Sequence, residues 1–388
     1  MEVVLLSLSF YFLSFLSYVL DKKLVNPVFT TTFLWANFLL LYQISPHSLY
    51  PLGDQFLFGI SLWVFSFFFG GMFFLRSKIQ IDTDVYNPKI FAIYYYAVLI
   101  FAPLALASLI MEAAKSGFEY FFLRLRIINT GLEEDDTYSL GALGYVFNFA
   151  NVVCILYTFY YERVSKFRYY MILFLTILLG MITLARTSLM VLLLAIFIIM
   201  YFKSALRRKH YLMFSAIILI FLAVISFLRS FHETDASNSI ADTIAIYLFA
   251  GMPAFDTLRY IPSEATGEYA LRFFYAVGRA LGLVGSEAKS TILEYAYVPT
   301  PTNVYTVMFP FYKDFGNLGI LIFGGIYGAL FSFVYALSKN RIPVFIMLYA
   351  FFFPCLILQF MGEFIFQNLS TYLQILIFLL IPKFLKIK

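Results

Sequence analysis

Hydrophobic and polar positions in this chain alternate in long blocks rather than residue by residue. Apolar runs fall near 3–20, 28–44, 56–75, 90–111, 142–160, 170–184, 188–202, 211–228, 317–337, 343–361 and 369–385. Most approach the roughly 20 apolar residues that a helix needs to cross a bilayer. A helix is also the only single segment that satisfies its own backbone polar groups there. The pattern predicts an all-α polytopic membrane protein of about eleven transmembrane helices. With no internal repeat and no low-complexity linker, residues 1–388 read as one integral membrane domain.

Composition agrees with the blocks. The chain is 62% hydrophobic and only 13% charged, against about 25% charged in a soluble domain. Its two cysteines, Cys154 and Cys355, both sit inside apolar runs, which excludes a disulfide framework or a zinc site. The N-terminal MEVVLLSLSF lacks the basic start of a secretory signal peptide and reads as a first span. No Walker motif or glycine-rich dinucleotide turn occurs, so neither ATP hydrolysis nor a cofactor is expected.

A net charge of +5 matters less than where the charge falls. Alternate loops on one side carry Lys22, Lys23, Arg76, Lys78, Lys89, Arg163, Lys166, Arg168, Lys203, Arg207, Arg208, Lys209, Lys339 and Arg341. The C-terminal Lys383, Lys386 and Lys388 join them. Lys and Arg favour the cytoplasmic face, so the C-terminus is expected inside and the N-terminus outside. The external basic residues are mostly arginine, the side chain that grips phosphate or carboxylate with two parallel hydrogen bonds.

Two external segments are long, 112–141 and 229–316, and the second is large enough to build a site. Within it IADTIAIYLFAGMPAF, 240–255, is too short to span and reads as re-entrant or interfacial. EYALRFFYAVGRALG, 268–282, has helical spacing that puts Glu268, Arg272, Tyr275 and Arg279 on one stripe. That stripe holds either a doubly anionic group or an ordinary Glu268–Arg272 pair facing water. Arg186 lies at the apex of the apolar hairpin 178–197, where it either snorkels to headgroups or serves a site. His232 and the acidic run EEDD at 133–136 read as solvated loop.

The stretch TPTNVYTVMFPFYKDFGNLG, 300–319, is polar although an apolar run follows it. Pro299, Pro301 and Pro310 keep it from being one helix. Asn303, Tyr305, Thr306, Tyr312 and Asp314 supply donors, acceptors and flat faces suited to sugars, and Asp314 is the candidate base. The following GGIYG, 324–328, offers small residues for close helix packing.

At LARTS, GRALG and PTNVYTVMFPFYKDFGNLG the chain resembles the Wzy-type O-antigen and capsule polymerases, the oligosaccharide repeat-unit polymerases of bacteria. The match runs through Arg186, Gly278 and Arg279, then Pro301, Thr302, Asn303, Val304 and Tyr305, then Asp314, Phe315 and Gly316. The resemblance implies a glycosyltransferase of the membrane-embedded GT-C kind in the bacterial inner membrane, with 229–316 as one large periplasmic loop. It implies transfer of a growing glycan from undecaprenyl pyrophosphate onto a lipid-linked repeat unit, with no metal or nucleotide. A polysaccharide chain-length regulator is the implied partner, besides the lipid-linked oligosaccharides and the bilayer.

With that chemistry, Arg186, Arg279 and Asp314 are the expected catalytic residues, the arginines neutralising the departing pyrophosphate. Arg272, Arg259, Asn303, Tyr305 and Tyr312 are the expected substrate-binding residues. Two other readings stay open: an O-antigen ligase with lipid A core as acceptor, for which His232 is the candidate base, and a lipid-linked oligosaccharide flippase. If Arg279 grips its anion with both guanidinium arms, Arg279→Lys shortens or abolishes the polysaccharide ladder of complemented cells on a gel. A ladder of full length removes the bidentate role.

Overall fold

The structure is a computed structural model. It describes the chain except for residues 76–83, 116, 118, 131–139, 184–185, 207–209, 211, 213–215, 217–239, 262–266, 286–288, 290–292 and 386–388, and except for a few side chains, including that of Arg186. The helices in chain order are α1 Glu2–Leu20, α2 Pro27–Ile44, α3 Asp54–Met72, α4 Pro88–Ala114, α5 Phe121–Thr130, α6 Tyr145–Phe159, α7 Lys166–Ile182 and α8 Arg186–Phe202. The short α9 Ile240–Phe249, α10 Gly251–Asp256 and α11 Arg272–Ala280 follow. Then come strands β1 Ala296–Tyr297 and β2 Pro301–Thr302, and helices α12 Phe309–Lys339, α13 Pro343–Ile357 and α14 Leu369–Phe384.

Ten of the eleven apolar runs coincide with helices, and the run at 211–228 lies almost wholly outside the described residues. Among the described residues, five helical segments are long and apolar enough to cross a membrane: Glu2–Leu20, Asp54–Met72, Pro88–Ala114, Gly141–Phe159 and Phe309–Lys339. Several apolar helices are shorter, among them α13 and α14. The chain is a mostly helical, multi-pass membrane protein. One boundary differs from expectation: the run at 343–361 stays helical only to Ile357, and residues 358–368 form a loop.

The chain divides into two compact units. Unit 1 comprises Met1–Ile79, Ser237–Asn340 and Cys355–Ser370, and unit 2 the remaining segments. In unit 2, α4, α6 and α7 pack on one another, and the Tyr157 hydroxyl donates to the Phe91 carbonyl at 2.7 Å. At one end, Asp84 accepts from the Tyr160 hydroxyl (2.6 Å) and from Arg163 Nη1 (2.9 Å).

Unit 1 is organised by the α3–α12 pair. A β-carbon on Gly324 would collide with the Ser66 hydroxyl, and one on Gly328 with the Phe67 carbonyl. These glycines let two backbones meet, the close packing that GGIYG leads one to expect. The N-terminus of α3 is capped from far along the chain by Asp256, whose carboxylate accepts from Gly53 N (2.6 Å) and Phe56 N (2.7 Å). An anion there satisfies orphan amides and opposes the helix dipole.

The 358–368 loop is held by Gln359, which is 1% exposed. Its Oε1 accepts from the indole N–H of both Trp35 and Trp63, each at 3.0 Å. Its Nε2 donates to the Thr31 hydroxyl at 3.0 Å, and its backbone carbonyl accepts from Val307 N at 2.8 Å. Gln359→Leu strands both indole N–H groups in a dry interior, at about 1–3 kcal/mol for each. The expected outcome is a lowered thermal unfolding midpoint of the detergent-solubilised protein, by more than in a Gln43→Leu control at an exposed amide.

Candidate functional site

The polar stretch at 300–319 begins in the β1–β2 hairpin, where Ala296 pairs with Thr302 and Tyr297 with Pro301. It then enters α12, which breaks at Gly316 with φ 61° and ψ −149°. That backbone conformation is open only to glycine at low cost. The break leaves 309–315 as a separate short helical piece that ends on Asp314. Asp314 is 6% exposed. Its Oδ2 accepts from Ala270 N (2.6 Å) and Tyr269 N (3.1 Å), with Oδ1 at 3.2 Å from Tyr269 N. The carboxylate therefore fastens the turn that leads into α11.

Two cavities adjoin this stretch, both within unit 1. The first, about 220 Å³, is lined by Asn303, Tyr305 and Thr306 on one side and by Glu363, Gln367 and Asn368 on the other. The second, about 260 Å³, is lined by Tyr269, Lys289, Glu294, Tyr305 and Lys313. They share a wall of Leu293, Tyr305 and Phe309. Tyr305 is fixed there: its ring lies 4.7 Å from that of Phe309, and its hydroxyl donates to the Glu294 carbonyl at 3.1 Å. Each cavity has room for about one sugar ring or one phosphate group, less than the 300–1,000 Å³ of a typical drug-sized pocket.

The two lobes differ chemically. The second one carries two ammonium groups, Lys289 and Lys313, beside the Glu294 carboxylate, with Lys289 Nζ 3.2 Å from Glu268. The first lobe presents side-chain amides, hydroxyls and one carboxylate, the donors and acceptors that sugars require. That carboxylate, Glu363, accepts on Oε1 from Ile365 N (2.6 Å), Phe366 N (2.8 Å) and the Tyr327 hydroxyl, and on Oε2 from Gln367 N (2.7 Å). Burial outweighs these donors and pushes its pKa up to about 7.

Of the residues expected from sequence, Asn303 and Tyr305 line the cavities. Tyr312 is buried between the rings of Phe255 and Tyr260 and, like Asp314, lines neither cavity. Arg272 opens α11 half-buried, its Nε has no partner among the described residues, and burial lowers its pKa. Arg279 lies in the last turn of α11 and, like Arg259, is exposed. The expected stripe loses its acidic end, because α11 starts only at Arg272 and Glu268 pairs with Lys289 instead. Arg186 opens α8 in unit 2, while His232 and residues 133–136 lie outside the described residues.

The stretch 240–255 forms α9 and α10. The sequence reading takes Lys289 and Lys313 only as external charges and passes over Glu363, Gln367 and Asn368, which lie on the same cavity as Thr306. The available signal was a lone acid and two amides, EFIFQN, in the short gap between the apolar runs 343–361 and 369–385.

Asp314→Ala releases the Tyr269 and Ala270 amides from a charged acceptor worth about 1.5–3 kcal/mol. Hydrogen exchange across 267–271 is expected to speed up while exchange in α3 stays unchanged.

Comparison with known proteins bears on this arrangement. The family model for O-antigen polymerases matches residues 3–360. An O-antigen polymerase of Shigella dysenteriae is 23% identical over 221 residues, covering 56% of this chain and 56% of that protein. The chain thus spans about half the length of that curated relative. No solved structure gives a match. A helical, multi-pass chain whose polar PTNVY stretch borders two small cavities, and whose sequence fits that family model almost end to end, belongs to the O-antigen polymerase family.

Proposed function

We propose that this protein is a surface-polysaccharide polymerase. It transfers a growing glycan from undecaprenyl pyrophosphate to the end of a lipid-linked repeat unit, at the periplasmic face of the inner membrane. The observation that carries this reading is the adjoining pair of lobes, one bearing the ammonium groups of Lys289 and Lys313 and one lined by amides and hydroxyls, divided by Tyr305. A transfer between two lipid-linked sugars needs an anion subsite beside a sugar subsite.

In this reading Lys289 and Lys313 hold phosphate oxygens. Arg272, whose Nε lacks a partner among the described residues, and Arg279 add charge at the departing pyrophosphate, where fixed electrostatics contributes most. Arg259 guides the anionic donor from an exposed position. For Arg186 the proposal rests on sequence alone: a guanidinium suited to phosphate. Asn303 and Tyr305 orient the sugars, and bringing two reactants into one geometry is worth about 7–11 kcal/mol of barrier at best. Tyr312 and Asp314 position the polar stretch rather than touch substrate. Pyrophosphate is a good leaving group, so no strong general acid is needed.

The test is a gel of surface polysaccharide from a strain lacking the gene, complemented with wild type or with Arg279→Ala. Lipid A core bearing a single repeat and no ladder in the Arg279→Ala strain is the expected outcome, with the ladder restored by wild type. Core without any repeat in the deletion strain points to a ligase or flippase, and polymer accumulating on undecaprenyl pyrophosphate singles out the ligase.

A further inference from the structure

We propose that Glu363 is the base of the transfer, taking the proton of the acceptor hydroxyl in the lobe it shares with Asn303 and Thr306. This rests on the polymerase reading above and adds the group that reading leaves unnamed.

Three observations carry the assignment. Glu363 is the one acid among the residues lining the first lobe, and it is 4% exposed. Its carboxylate is held in a fixed pose by the amides of residues 365–367 and the Tyr327 hydroxyl. Oε2 takes just one of those hydrogen bonds, from Gln367 N, which leaves it acceptor capacity for an incoming hydroxyl. On the same lobe, the Thr306 hydroxyl is fully buried and has no partner among the described residues. A buried hydroxyl without a partner costs about 1–3 kcal/mol, a cost that a small rotation of Thr306 onto a bound sugar hydroxyl would relieve. Asp314, by contrast, lines neither lobe.

The step balances without a further reactant. The acceptor oxygen forms its bond to the anomeric carbon of the donor sugar. The bond from that carbon to the pyrophosphate oxygen breaks, and its electron pair leaves on the pyrophosphate. The hydroxyl proton passes to Glu363 and from there to solvent. A base serves best when its pKa lies near the working pH, and burial brings Glu363 to about 7. The titratable groups facing it are Tyr327 from α12 and Tyr305 from the polar stretch, and burial pushes the Tyr305 phenol up.

The test uses the full chain in lipid nanodiscs. The probe is undecaprenyl-pyrophosphate-linked repeat units extracted from cells lacking the polymerase, and the initial rate of ladder formation is followed between about pH 5 and 9. Wild type is expected to rise through an inflection near 7. Glu363→Gln is expected to lose about 10²–10⁴-fold in rate and the rising limb with it. Tyr327→Phe removes a donor that favours the charged carboxylate, so its inflection moves to higher pH. Glu363→Gln with an undiminished rate, or with a reduced rate on an unchanged limb, overturns the base while leaving the polymerase reading intact. If Glu363→Gln does not fold, an inflection unmoved in Tyr327→Phe overturns it as well. A wild-type protein that makes no ladder overturns the polymerase reading itself.

Discussion

One side-chain amide holds the first unit together around its polar stretch. Gln359 accepts from two fully buried tryptophans on α2 and α3 and donates to Thr31, while its backbone receives Val307. In a dry interior each of these groups would be costly alone, so the four contacts stand or fall together. Through them the 358–368 loop is set against the 303–308 stretch, and both walls of the amide-lined lobe follow. Had residue 359 been apolar, the hydrophobic run would have had no reason to stop being a helix where it does.

The other constraint is backbone geometry at Gly316. A break there turns the short 309–315 piece away from the long helix and delivers Asp314 to the Tyr269 and Ala270 amides. That attachment fixes the start of α11 and therefore where Arg272 and Arg279 emerge. Asp256 does a comparable job at the head of α3, tying residues two hundred positions apart. Asp256 and Asp314 are thus spent on backbone amides. Glu363 combines such contacts with a face on a cavity.

Most helices were legible because their signal is a sustained average: a run of twenty apolar residues survives a few polar interruptions. The same averaging carried the run at 343–361 past Gln359 and left 362–368 as a bare gap, its Glu363, Gln367 and Asn368 set among phenylalanine and isoleucine. Asn303 and Tyr305 could be read as site residues because proline and polar residues before an apolar run have no packing rationale. Asp314 could be singled out but not given its partners, since a carboxylate engaged on backbone amides looks in sequence like one that meets substrate. The Glu268–Arg272 stripe failed for a local reason. Gly267 takes φ 87° and the helix begins four residues later than the periodicity suggests, which frees Glu268 for Lys289.

The glycine contacts between α3 and α12 have a mechanical consequence. Where Gly70 faces Gly325 and Gly328 faces Phe67, main chain rests on main chain with no side chain between them, a contact of the Cα–H to carbonyl type. Side chains cushion most helix pairs and permit small sliding movements by changing rotamer. This pair has no such cushion along that line, so it behaves as a keel rather than a hinge. Substrates as long as a lipid-linked glycan still have to enter and leave. The give they require therefore falls outside this line of contact, where side chains and not main chain separate the elements.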